Sequence, residues 1–117
     1  MKTKSQMNKW WAGLTKEQFK ITLAALKESI AHWKRLANGK RQKGEEILSS
    51  DCALCQTFVV ISDSCYGCPV MALTGESSCR KTPWRGACET WEDYGPDSIE
   101  FQRAASVQLE FLKSLLP

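Results

Sequence analysis

At 117 residues, 43% of them hydrophobic, the chain can build one compact domain, expected to bury only about two-thirds of its unfolded surface. It holds no run of 18 apolar residues, which excludes a transmembrane helix. It has no internal repeat, and Met1-Lys2-Thr3-Lys4-Ser5-Gln6 opens onto no apolar signal segment, so a soluble, cytoplasmic protein is expected. The net charge of +3 hides a division: residues 1–43 carry eleven Lys/Arg against Glu17 and Glu28, whereas residues 44–117 carry five against eleven acids. Such asymmetry marks either an electrostatic binding surface or two halves that attract each other in the fold.

Residues 1–14 read as a polar N-terminal arm ending in Trp10 and Trp11, which fold back on the core, given the apolar surface of tryptophan, or meet a partner. Thr15 with Gln18 three residues on is a capping box, and Asn38-Gly39 is a stop, so a helix is predicted over 16–37. Phe19, Leu23, Leu26, Ile30, Trp33 and Ala37 recur at steps of three and four and form its core stripe. A weaker stripe of Ile21, Ala25, His32 and Leu36 implies a helix covered twice, either by the cysteine-rich lobe of the same chain or by a second copy in a homodimer. His32 has no partner motif and reads as a polar contact in that second face. Lys16, Lys20, Lys27 and Lys34 project as one row, extended by Arg35, Lys40, Arg41 and Lys43. Residues 40–46 then form a polar linker, and Ile47-Leu48 returns to the core before Ser49-Ser50-Asp51.

Five of the six cysteines lie between residues 52 and 79. Cys52-x-x-Cys55 and Cys65-x-x-Cys68-Pro69 have metal-site spacing, because each tight turn lets two thiolates converge and two turns complete a tetrahedral shell of the kind zinc prefers. Cys79 is near enough to replace one ligand, so the shell is four of Cys52, Cys55, Cys65, Cys68 and Cys79. An iron–sulfur cluster is the rival, although ferredoxin spacing is absent. Disulfides lack an export signal, and a redox dithiol lacks the βαβ unit it would sit in. Cys88 reads as a small buried hydrophobe. The apolar run at 57–61 reads as a short strand between the knuckles, with a helical turn as the alternative.

Cys52-Ala53-Leu54-Cys55, Cys65-Tyr66-Gly67-Cys68-Pro69, Thr74-Gly75 and Cys79-Arg80-Lys81-Thr82-Pro83-Trp84 together resemble a family of small uncharacterised proteins encoded by bacteriophages and prophages. The shared pattern is CxLC, CxxCP, TG and CxxTP-aromatic, specific over residues 52–84 and loose over 29–117. Trp84 stands where members often carry tyrosine, and Cys88 is an addition. The resemblance implies a phage origin and a zinc knuckle, and no reaction.

Thr82-Pro83 places a cap before a proline, predicting a short helix over 83–93 that ends at Tyr94-Gly95-Pro96. Asp97-Ser98-Ile99-Glu100 is a second capping box. It opens a helix over about 98–116 whose face is Phe101, Ala104, Ala105, Gln108, Leu112 and Leu115, packed against the first helix. The expected fold is mainly α and a single domain over 1–117: arm 1–14, basic helix 15–38, zinc-knuckle lobe 49–84 and C-terminal helix 97–117. No H-E-x-x-H, P-loop or dinucleotide motif is present, and a shell closed by four thiolates leaves no open position, so enzyme chemistry is not expected. The expected function is an effector or inhibitor that binds a host protein, such as a defence or transcription component, through Trp10, Trp11, Trp84 and the lysine row. The alternative is a nucleic-acid-binding zinc module that uses the same lysines.

Overall fold

The computed structural model describes residues 1–47, 52–62, 67–75, 79 and 82–117, with residues 59–62 described by their backbone. The chain is mainly α-helical, and no strand occurs among the described residues. Its longest element is the helix Lys16–Ala37, here α2, with the bounds its caps imply. Thr15 Oγ1 accepts from the Gln18 amide at 3.1 Å, and Gln18 Oε1 accepts from the Thr15 amide at 3.0 Å, so two otherwise orphaned donors are satisfied reciprocally.

The most buried line of α2 runs through Thr22, Ala25, Leu26, Ser29, His32, Trp33 and Leu36, between the two stripes expected from the sequence. Phe19, Leu23 and Ile30 are only half-buried, and Ile21 is 46% exposed. The reason is coverage from two directions within one chain. One neighbour is the helix Ile99–Lys113 (α6), and the other is the helix Ala53–Ser62 (α3). The second face, which made a homodimer one solution, thus has Ala25, His32 and Leu36 buried inside the molecule.

The N-terminal arm is itself a helix, Lys4–Ala12 (α1), opened by a second capping box in which Thr3 pairs with Gln6. Trp11 folds back, as expected, and is 2% exposed, with its Nε1 donating to the Leu115 carbonyl at 2.8 Å. Lys4 Nζ donates to the Leu116 carbonyl, and Trp10, Trp11 and Phe19 meet edge to face at 5.2 and 5.4 Å. At the other end of α2, a side-chain carbon on Gly39 would come within 3.0 Å of Gln102, so α2 and α6 run antiparallel.

The strand expected over 57–61 is instead part of α3, whose first bond runs from the Gln56 amide to the Cys52 carbonyl at 2.9 Å. Local β preference is worth at most about 1 kcal/mol per residue, and packing of Ala53 and Leu54 against α2 overrides it. A short helix, Pro69–Thr74 (α4), follows Cys68 and stops at Gly75, which adopts φ +75°, so the Thr74-Gly75 pair is a helix end. The helix Trp84–Tyr94 (α5) is held at its start by Thr82 Oγ1, which accepts from the Trp84 amide at 3.3 Å. The cap of α6 is Ser98 rather than Asp97: its Oγ accepts from the Phe101 amide at 3.1 Å, and the helix ends at Lys113, short of the expected 116. Helix α5 lies on α6 through an edge-to-face contact of Trp91 with Phe101 at 5.1 Å. Ile47 returns to the core as expected, while its neighbour Leu48 and the Ser49-Ser50-Asp51 turn lie outside the described residues. Among the described residues no helix is long and apolar enough to cross a membrane.

Candidate metal centre

Four of the five candidate ligands fall within the described residues, and Cys65 lies outside them. Cys52 immediately precedes α3, and Cys55 sits in its first turn. The Cys52 sulfur lies 3.5 Å from Ser29 Oγ, a fully buried hydroxyl on α2. The Cys55 thiol, the Ser29 hydroxyl and the amides of Cys55 and Leu54 all donate to it. These bonds outweigh burial and hold its pKa at about 6, well below the ordinary thiol range. Cys55 is pushed far up by its bond to Cys52, by burial and by the charges of Cys52, Cys79 and Cys68. Thiols from three segments of the chain therefore lie within electrostatic reach of one another.

Cys68 is the N-cap residue of α4 and is 7% exposed. Gly67 before it adopts φ +90°, and a side-chain carbon there would come within 3.3 Å of Phe58, so the turn requires glycine both for its backbone and for its space. Cys79 is half-buried, and its carbonyl accepts from the Thr82 amide at 3.0 Å and the Thr82 hydroxyl at 2.6 Å, which fixes the chain as it enters α5. No disulfide joins Cys52, Cys55, Cys68, Cys79 and Cys88 to one another among the described residues. Among the described residues, no three His, Cys, Asp or Glu side chains form a finished ion-binding group. The donor set nonetheless fits a soft divalent ion: every candidate ligand is a cysteine, and hydrogen bonds to Cys52 favour the thiolate that a metal requires. Cys88, half-buried on α5, is pushed up to about 11 by burial and by the charges of Glu92 and Glu89, which keeps it a protonated, weakly polar packing group.

His32 makes the polar contact expected of it. A carboxylate can only accept, so His32 Nδ1 donates to Glu45 Oε2 at 2.5 Å, alongside Arg35 Nη2 at 2.5 Å and the Gln42 amide to Oε1 at 3.0 Å. Burial pushes the 8%-exposed Glu45 carboxylate up, but the bonds from Arg35, Gln42 and His32 outweigh it and hold the pKa at about 2. The polar linker is thus tied to α2 through Glu45. The sequence marks that residue only as one acid in a charged stretch.

The lysines of the basic row, Lys16, Lys20, Lys27 and Lys34, are all exposed. The first three rim an open groove of about 710 Å³ floored by Phe19 and Leu23. Trp11 is a core residue with almost no surface for a partner, Trp10 is half-buried, and Trp84 is half-buried with its Nε1 donating to the Ile47 carbonyl at 2.9 Å. No protein-family model, curated protein or solved structure matches the chain.

Proposed function

We propose that this chain is a small, zinc-stabilised, non-enzymatic binding protein that acts by occupying another protein. One observation carries the metal part: the Cys52 sulfur is cradled by Ser29 and two backbone amides beside Cys55, with Cys68 and Cys79 within electrostatic reach. Four of Cys52, Cys55, Cys65, Cys68 and Cys79 would hold the ion, which supplies cross-linking of the lobe and no reactive position. The lysine-rimmed groove on α2 supports the binding part, because Phe19 and Leu23 offer apolar contact between charges that speed encounter with an acidic surface. The resemblance of residues 52–84 to phage-encoded proteins would imply a target in the cytoplasm of a bacterial host, with defence and transcription components as the candidate class.

The second reading is a nucleic-acid module, favoured by the exposed row of Lys16, Lys20, Lys27 and Lys34. Against it, the acidic residues 44–117 repel a polyanion, and the lysine-rimmed groove is lined by a single aromatic, the half-buried Phe19, too few for the successive bases of a single strand to stack on. Elemental analysis of the purified protein should give about one zinc per chain, whereas a brown protein with iron and sulfide overturns the metal assignment. Duplex DNA titrated at several salt concentrations separates the two binding readings. A log–log slope near −0.9 for each neutralised phosphate, with tight binding at low salt, would replace the protein target by a nucleic acid.

A further inference from the structure

We propose that the lysine-rimmed groove on the first half of α2 takes a second copy of this chain, through the acidic, apolar corner where α5 turns into α6. The inference goes beyond the binding reading above, since the occupant is the chain itself, and it does not depend on the metal.

Two exposed surfaces of opposite character carry it. The groove has a floor of Phe19 and Leu23 and a rim of Lys16, Lys20 and Lys27, with a volume of about 710 Å³, room for several side chains. At the corner, Tyr94 is 60% and Ile99 57% exposed, and Asp93, Asp97 and Glu100 around them are exposed too. Tyr94 and Ile99 are two of the five large hydrophobic side chains that the described residues leave most open to solvent. Each surface pairs apolar side chains with a net charge: the groove's three lysines outweigh its one acid, Glu17, and the corner's three acids outweigh Arg103 one turn along α6, so the net charges are complementary. An apolar contact ringed by opposite charges is the arrangement that gives both affinity and register.

The two surfaces cannot satisfy each other within one molecule. The far end of α2, at Gly39, abuts Gln102 and so marks the position of the corner. Leu23 lies fourteen residues before Ala37, the last residue of that helix, which at 1.5 Å per residue puts the groove about 21 Å away. The uneven charge of the chain, positive over residues 1–43 and negative over 44–117, therefore points outward at two separated places. This contact differs from the homodimer suggested by the second stripe of α2, whose Ala25, His32 and Leu36 are buried.

The test is sedimentation of the purified full-length protein through the micromolar range, at low and high salt. The expected result is a mass that rises with concentration and falls back toward the monomer as salt screens the rim charges. Lys20→Glu with Lys27→Glu should weaken association about tenfold or more, as should Asp93→Lys with Asp97→Lys, by placing like charges opposite each other. An equimolar mixture of the two variants should associate again, because each restores the complement the other needs. All four positions are exposed, and circular dichroism checks that the variants keep their helices. A protein that stays monomeric at every concentration and salt level overturns the proposal, as does self-association that both reversals leave unchanged or a mixture that fails to recover. A monomer that binds a foreign acidic protein in the groove would leave the binding reading standing and remove only this one.

Discussion

The pair α2 and α6 and the cysteine-bearing pair α3 and α4 are both helical, yet they differ in length and in the cysteines they carry. Leu26, Trp33, Phe101, Ala105 and Leu112 are almost fully removed from water where α2 meets α6, and Trp11 and Leu115 close one end of that interface. Helices α3 and α4 have ten and six residues, below the 12–15 at which an isolated helix becomes even marginal. Among the described residues, they bury Ala53, Leu54, Pro69 and Val70, with Cys68. The contrast is between a frame stabilised by apolar area and a lobe that, in the proposed zinc reading, takes its order from its sulfur atoms.

The largest effect is expected in the lobe. In the zinc reading, Cys52→Ser or Cys68→Ser, or a strong chelator, should abolish metal content and leave the chain largely insoluble, since structural zinc contributes about 10–16 kcal/mol in small zinc-dependent peptides. Zinc-free protein that melts like the purified material would erase the contrast. Next comes the frame. Phe101→Ala should cost about 3–5 kcal/mol in urea unfolding, because the ring is fully buried and stacked edge-on against Trp91. A loss under about 1 kcal/mol would mean that the α5–α6 contact is not central.

The tie between frame and linker should be weaker. Glu45→Ala leaves His32 and the partly exposed Arg35 without their shared partner, with an expected loss of about 2–4 kcal/mol. The carboxylate also sets a pH dependence whose sign is fixed. Its folded pKa of about 2 lies below the ordinary 4.5, so its contribution is complete above about pH 5 and is lost as pH falls toward 2. Urea midpoints between those pH values should fall more steeply for the native protein than for Glu45→Ala. The smallest effect belongs to the caps: Thr15→Ala should cost about 1 kcal/mol. Cys88→Ser should cost about as little, since its thiol is only half-buried, and should leave metal content unchanged.

What could be read in advance follows from how local each signal is. The bounds of α2 were legible because Thr15, Gln18 and Asn38 act within a few residues of themselves. The same box, Thr3 with Gln6, announces α1, but the polar residues around it made the segment look like an arm. Residues 57–61 were ambiguous because a short apolar run carries no period. Burial of Ala53 and Leu54 against α2 decides the matter, and that contact is tertiary. At the candidate centre the cysteine spacing was plain, whereas Ser29 could not be found, since a serine 23 residues upstream gives no sign that it will face Cys52. The pairing of Glu45 with His32 was hidden for the same reason.

The hydrogen bond from Trp11 to Leu115 spans 104 positions of the chain and has a consequence for synthesis. As the polypeptide leaves the ribosome, Trp11 emerges long before Leu115, whose carbonyl its indole N–H bonds. That donor must therefore wait for its partner until residue 115 has been translated, with only nearby contacts such as Phe19 to cover the ring. A contact of such long range is costly to close and forms late. The Trp11 contribution to emission, read as the difference between native and Trp11→Phe stalled chains of increasing length, should shift only after residue 115 has cleared the exit tunnel.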